Sequence, residues 1–165
     1  MPTMDKQQRN AALMRFGTLL PTLQRSYRAA VDRAIGHIGL SHAIGAPLVM
    51  LGRLGAQGDT VRQSALADVL GIEAPSLTRS LDQLVAAGLA ERRDDPDDRR
   101  AKSLHLTEAG QAARDTAESA LRDMRTALFD GISDRDLATC LRVFATLGER
   151  LGSPLPVTPE ASSQS

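Results

Sequence analysis

Two stretches of this chain carry side chains whose type and spacing suit contact with a phosphodiester backbone and with base edges. The first is Ser76, Thr78, Arg79 and Gln83, on the outward side of a segment whose Leu77, Leu81 and Leu84 repeat at helical spacing. An arginine bonds guanine through two parallel N–H groups, and hydroxyls reach phosphates or base edges. The second is Asp98-Arg99-Arg100-Ala101-Lys102, the polar tip and exit of a hairpin. Arginines there suit a minor groove, and Asp97 or Asp98 can pair with one of them and fix its direction. Each stretch alone also fits an ordinary solvated surface, the second as a charge-balanced turn whose ion pairs are worth roughly 0–1 kcal/mol. Their order along the chain is what makes the combination specific.

The elements that must position them follow from hydrophobic spacing and turn residues. Gln63 to Leu70 reads as a short helix ended by Gly71, and Pro75 opens a second helix that stops near Gly88. Leu66, Leu70, Ile72, Leu77 and Leu81 supply a small core, Ala67 allows close approach, and the whole reads as a helix-turn-helix. Leu89 to Arg93 and Ala101 to Leu106 read as two strands around the tip, forming a wing. Thr107 caps a long Ala-rich helix to about Phe129 with an inward stripe of Ala113, Ala117, Ala120, Met124 and Leu128. Gly131 ends it, and Ser133 with Asp136 opens a last helix carrying Leu137, Leu141, Phe144, Leu147 and Leu151.

Upstream, residues 1 to about 8 are polar and expected to fray. Phe16, Leu20, Leu23, Tyr27, Ala30, Ala34 and Ile38 mark an amphipathic helix from Asn10 to Ile38, and Pro21 predicts a kink or a break in it. A helix from about Ser41 to Leu54 carries Ile44, Leu48, Leu51 and Leu54, with Pro47 predicting a kink or a later start. The class expected is mainly α: a winged helix-turn-helix with a two-stranded β wing between long terminal helices. Its parts are a dimerisation helix over 9–40, the winged domain over 41–107, dimerisation helices over 108–152 and a disordered tail over 153–165. The long terminal helices cannot bury their stripes on so small a winged domain, so a symmetric dimer is expected.

Composition narrows the function classes. Aromatic residues are 2% and the formal net charge is zero. Between Thr60 and Thr107 there are seven basic and eight acidic residues, a net of −1. DNA binding therefore cannot rest on bulk basicity; it must rest on where the arginines point, with the acids bracing them or facing away. No apolar run approaches the roughly 18 residues of a membrane span, and no apolar h-region follows the N-terminus. A single Cys140 excludes an internal disulfide framework and suits a reducing cytoplasm. His37, His42 and His105 form no ligand pair, and no phosphate loop or framed nucleophile is present, so neither a metal, nor a cofactor, nor an enzyme is expected.

Leu66-Ala67-Asp68-Val69-Leu70-Gly71, Leu77-Thr78-Arg79-Ser80-Leu81-Asp82-Gln83-Leu84 and Gly88-Leu89-Ala90-Glu91-Arg92 resemble the MarR family of bacterial transcription regulators. So does Asp95-Pro96-x-Asp98-x-Arg100, followed by Leu104-x-Leu106-Thr107. The resemblance implies a homodimer whose first and last helices interlock on a pseudo-palindromic operator in double-stranded DNA. It gives Arg100 the minor-groove contact and Asp98 the bracing role, and it places Thr78 and Arg79 on the recognition helix. It also implies repression lifted by a small, often phenolic or otherwise anionic, ligand or by an oxidant. Two features depart from the pattern: Pro21 within the first helix, and no cysteine near the N-terminus, where oxidation-sensing members carry one. Cys140 reads as a buried structural residue rather than a redox trigger; a redox switch through it is one alternative, and a helical interaction module without DNA binding is another. Tyr27, His42 and Arg53 could line a ligand pocket between the helices and the winged domain, but they read rather as packing and surface residues, so the effector site is left unassigned.

Overall fold

The computed structural model describes residues 4–57, 60–95 and 102–152. Among these residues the order is α1 (Lys6–Ile35), a 3-10 turn (Gly36–Ile38), α2 (His42–Ala56), α3 (Gln63–Leu70), α4 (Ala74–Ala86), β1 (Ala90–Asp94), β2 (Lys102–Leu106), α5 (Glu108–Leu128) and α6 (Asp134–Arg150). This is the mainly helical, winged class that the hydrophobic spacing predicts. The chain divides into two compact units, residues 1–125 and 126–165. The predicted tail over 153–165 lies outside the described residues.

α1 starts earlier than a polar N-terminus suggests. The Asp5 carboxylate accepts the Gln8 backbone N–H at 2.8 Å, and the Gln8 side chain accepts the Asp5 N–H at 3.2 Å. This reciprocal cap holds the helix from Lys6 where fraying to about residue 8 is expected. α1 runs as one helix through Pro21 and α2 as one helix through Pro47, against the break or later start that proline predicts. Each proline frees the carbonyl four residues before it, on Gly17 and Ala43. Both residues are exposed, so water can take those carbonyls. The Pro47 ring itself is fully buried.

The core of the first unit gathers Val31 and Ile35 of α1, Leu48 and Leu51 of α2, Leu66 of α3, Leu77, Leu81 and Leu84 of α4, Leu104 of β2, and Ala117 and Leu121 of α5. Tyr27, Ala34 and Ile38 pack against this core, but Phe16, Leu20 and Leu23 are 42%, 45% and 62% exposed. The expected α1 stripe is therefore covered only towards its C-terminal end, and the deepest residues, Val31 and Ile35, lie beside it. Gly71 takes φ 62°, the left-handed conformation that glycine enters without a Cβ clash. It turns the chain from α3 to α4, with the Ile72 N–H bonding the Ala67 carbonyl at 3.2 Å.

β1 and β2 pair antiparallel in a register from Ala90 opposite Leu106 to Asp94 opposite Lys102. The chain before α3 lies along β2: the Leu104 N–H donates to the Val61 carbonyl at 2.9 Å, and Arg62 bridges Ser103. The Thr107 hydroxyl donates to the Gly88 carbonyl at 2.7 Å and accepts the Gly110 N–H at 3.0 Å, so one side chain caps α5 and pins it to the α4–β1 turn. A Cβ on Gly110 would lie 1.8 Å from the Leu89 carbonyl oxygen, so only glycine permits this approach.

In the second unit, the Ser133 hydroxyl accepts the Asp136 N–H at 3.1 Å and donates to the Asp136 carboxylate at 2.8 Å, so aspartate completes the cap of α6. Leu128, Leu141 and Leu151 are 49%, 60% and 80% exposed, although the spacing places them on inward stripes. Cys140, expected to be buried, is exposed. α6 is the one complete helix of that unit among the described residues, so the unit has no second face to cover these side chains. Among the described residues, no single helix is long and apolar enough to cross a membrane.

Candidate nucleic-acid interface

α4 presents the first predicted set. Leu77, Leu81 and Leu84 are fully buried, so the positions between them face away. Ser76, Arg79 and Gln83 are exposed and line one open groove of about 510 Å³, shared with Ser41 and Ile44 of the α2 entry. Thr78 is half-buried; its hydroxyl donates to the Ala74 carbonyl at 2.8 Å and accepts from the Gln63 side-chain amide at 2.6 Å. That hydroxyl therefore ties α4 to the first residue of α3. Asp82, beside the groove, pairs with Arg92 of β1 at 2.6 Å.

The second set sits on the strand pair. Lys102 is exposed and ion-paired with Asp94, its register partner. Asp98, Arg99 and Arg100 lie outside the described residues. At the root of the hairpin, Arg62 holds the buried Asp95 with both arms of its guanidinium, Nε to Oδ2 at 2.6 Å and Nη2 to Oδ1 at 3.1 Å. Arg93 pairs with Glu91 on its own strand. Asp82, Glu91, Asp94 and Asp95 are thus each matched to a base. Among the described residues, Arg79 forms no ion pair, so the cation on the exposed face of α4 is undiverted.

A second cavity, of about 530 Å³, opens between the end of α2, the strands and the start of α5. Leu51, Leu104 and Leu106 give it apolar lining; Arg93, His105, Gln111 and Arg114 give it polar lining. The Arg114 stem lies where a Cβ on Gly52 would stand, 2.4 Å from Arg114 Cδ. Arg114 pairs with Asp115 at 2.7 Å, yet its Nε is buried and finds no acceptor among the described residues. Tyr27, His42 and Arg53 do not line this cavity: the Tyr27 hydroxyl accepts from Arg125 at 3.4 Å, the His42 backbone N–H donates to Asp32 at 2.5 Å, and Arg53 pairs with Glu118 at 2.8 Å.

Sequence reasoning missed Arg62, Gln63 and Arg114, and it quoted Asp95 within the wing motif without giving it a role. One signal for Arg62 was available. It occupies the N-cap of α3, makes no side-chain cap bond there, and stands where Ser, Thr, Asp or Asn is preferred.

The MarR-family model matches residues 45–101, from within α2 to the residue before β2. The transcriptional regulator PA3341 is 35% identical over 83% of this chain and 98% of its own, with a TM-score of 0.73. A MarR-family regulator from Rhodococcus sp. RHA1 is 26% identical over 80% of this chain and 92% of its own, TM-score 0.70. CouR from Rhodococcus jostii RHA1, solved with p-coumaroyl-CoA, is 26% identical over 80% of this chain and 90% of its own, TM-score 0.69. With the helix-turn-helix, the strand pair and the flanking helices in the same order, this chain belongs to the MarR family of transcription regulators.

Proposed function

We propose that the chain is a homodimeric, sequence-specific DNA-binding repressor released by a small-molecule effector. The observation that carries this reading is the exposed face of α4, where Ser76, Arg79 and Gln83 converge on one groove while the acids beside it are held by other bases. α4 enters a major groove, with Thr78 at its edge. The wing, through Arg99, Arg100 and Lys102 with Asp98 bracing, reaches the neighbouring minor groove. The exposed leucines of α1 and of the second unit supply the dimer contact. The dimer sets two α4 helices about 34–36 Å apart, one turn of DNA. The cavity beside Arg114 is the effector site: it offers an unanswered donor above apolar walls, and CouR, a relative, was solved with an acyl-CoA. An effector that favours a dimer with its α4 helices wrongly spaced releases the operator.

Fluorescence anisotropy on DNA from upstream of the chain's own gene, across a salt series, tests this reading. Specific binding should outlast competitor DNA. Arg79→Ala should cost about 1–3 kcal/mol of operator affinity, and Arg100→Ala should weaken binding and lower the salt slope by about one. Binding no tighter than to random DNA, persisting through a random-site selection, would leave the interaction-module reading in its place. The exposure of Cys140 favours one second reading, a redox switch. Peroxide release that persists in Cys140→Ser removes it.

A further inference from the structure

We infer that Arg62 is a positioning residue for the wing: it acts on DNA through the direction in which it sends the chain out of β1. The inference rests on the proposed role of the wing in DNA contact.

One residue grips β2 and the chain as it leaves β1. The Arg62 backbone bridges Ser103 of β2, and the neighbouring Val61 carbonyl accepts the Leu104 N–H at 2.9 Å. Its side chain then reaches Asp95, 33 residues away and one position beyond the end of β1. The Asp95 side chain has no exposed surface, whereas that of Arg62 is 44% exposed. The pair is a bidentate fork, and two parallel N–H bonds fix the plane and direction of a carboxylate, not its distance alone. Asp95 is the last described residue before Asp98, Arg99 and Arg100 in the chain. The fork therefore holds the chain, at the point where it leaves β1, against the entry of α3.

Position 62 is also an expensive place for an arginine. As N-cap of α3 it leaves the helix without a side-chain cap, a bond that Ser, Thr, Asp or Asn would supply. The side chain instead couples the helix-turn-helix to the root of the wing, and lysine, a point charge without the fork, cannot reproduce that geometry.

A double-mutant cycle on the full-length protein tests this. Operator affinity and its salt dependence are measured for Arg62→Lys, Arg62→Met, Arg100→Ala and the Arg62→Met/Arg100→Ala double variant, with thermal melts confirming that each is folded. Arg62→Met should lose about tenfold in operator affinity, within the range of coupled neighbours, and its salt slope should fall as that of Arg100→Ala does. Arg62→Lys keeps the charge and is the milder change for folding, yet it should lose affinity in the same direction. The double variant should bind no worse than Arg100→Ala alone, because a misdirected tip has nothing further to lose. Wild-type binding by folded Arg62 variants, an unchanged salt slope, or losses that multiply in the double variant would each make Arg62 a brace of the fold only. If Arg100→Ala alone binds like wild type, the wing reading falls and this inference falls with it.

Discussion

At the scale of single residues, the winged segment keeps its charges under local control. Arg62, Arg92, Arg93 and Lys102 each hold an acid, which explains how a segment of net −1 charge can still offer Arg79 outward. A different titratable residue ties stability to pH. His42 is half-buried at the start of α2. Burial first, and Arg28 second, push its pKa below the usual 6.5, while Asp32 pulls the other way. The unfolded chain then binds the His42 proton more readily than the folded protein does. Stability is full above the unfolded value and declines as pH falls through it towards the depressed folded value. The melting temperature should therefore drop between about pH 7 and pH 5.5, and His42→Gln should drop less over that window. Equal slopes for the two proteins would mean that His42 is not the group responsible.

At the scale of elements, the junction between β2 and α5 is the most tightly specified place in the first unit. Thr107 answers two backbone groups at once, and Gly110 admits the Leu89 carbonyl. Thr107→Val keeps the shape and removes both bonds; it should cost about 1–2 kcal/mol, read from chemical denaturation. Gly110→Ala should cost more, because its Cβ meets backbone rather than a mobile side chain. This junction was legible in the sequence because Thr capping is local chemistry, as was Gly71, whose turn only glycine makes comfortably. The bounds of α3 were legible for the same reason. The start of α1 was not: Asp5 and Gln8 form their cap three residues apart inside a stretch that reads as polar. Pro21 and Pro47 do not interrupt their helices, because the cost of a proline depends on whether water can reach the carbonyl it frees, and exposure is a tertiary property. The Arg62–Asp95 fork spans 33 residues, beyond any periodic pattern.

At the scale of the whole molecule, α1 carries an unanswered apolar surface. Leu13, Met14, Leu19 and Leu23 are 58%, 77%, 58% and 62% exposed on it, and Leu141 and Val143 of α6 are 60% and 44% exposed. Monomers rarely leave so much apolar area in water. Sedimentation should find twice the chain mass at micromolar concentration. Leu23→Glu should shift it towards the single chain and weaken operator binding, since two linked half-sites gain from effective concentration. A single-chain mass for the unaltered protein would remove the dimer from the proposal. The periodic stripes of these helices lead the sequence reading to expect a partner, but the depth at which each residue sits depends on which face is covered. Val31 and Ile35, both buried, were accordingly missed beside a stripe that was found.

The matched acids of the winged segment have a consequence for how such a regulator would spend its time in a cell. A strongly basic reader is held by any stretch of chromosome, because every phosphate it meets releases counterions. Here Asp82, Glu91, Asp94 and Asp95 already occupy the bases beside them, so a random sequence offers little reward. On the proposed reading, few copies would then be lost to the genome at large, and a small pool would suffice to keep one promoter occupied.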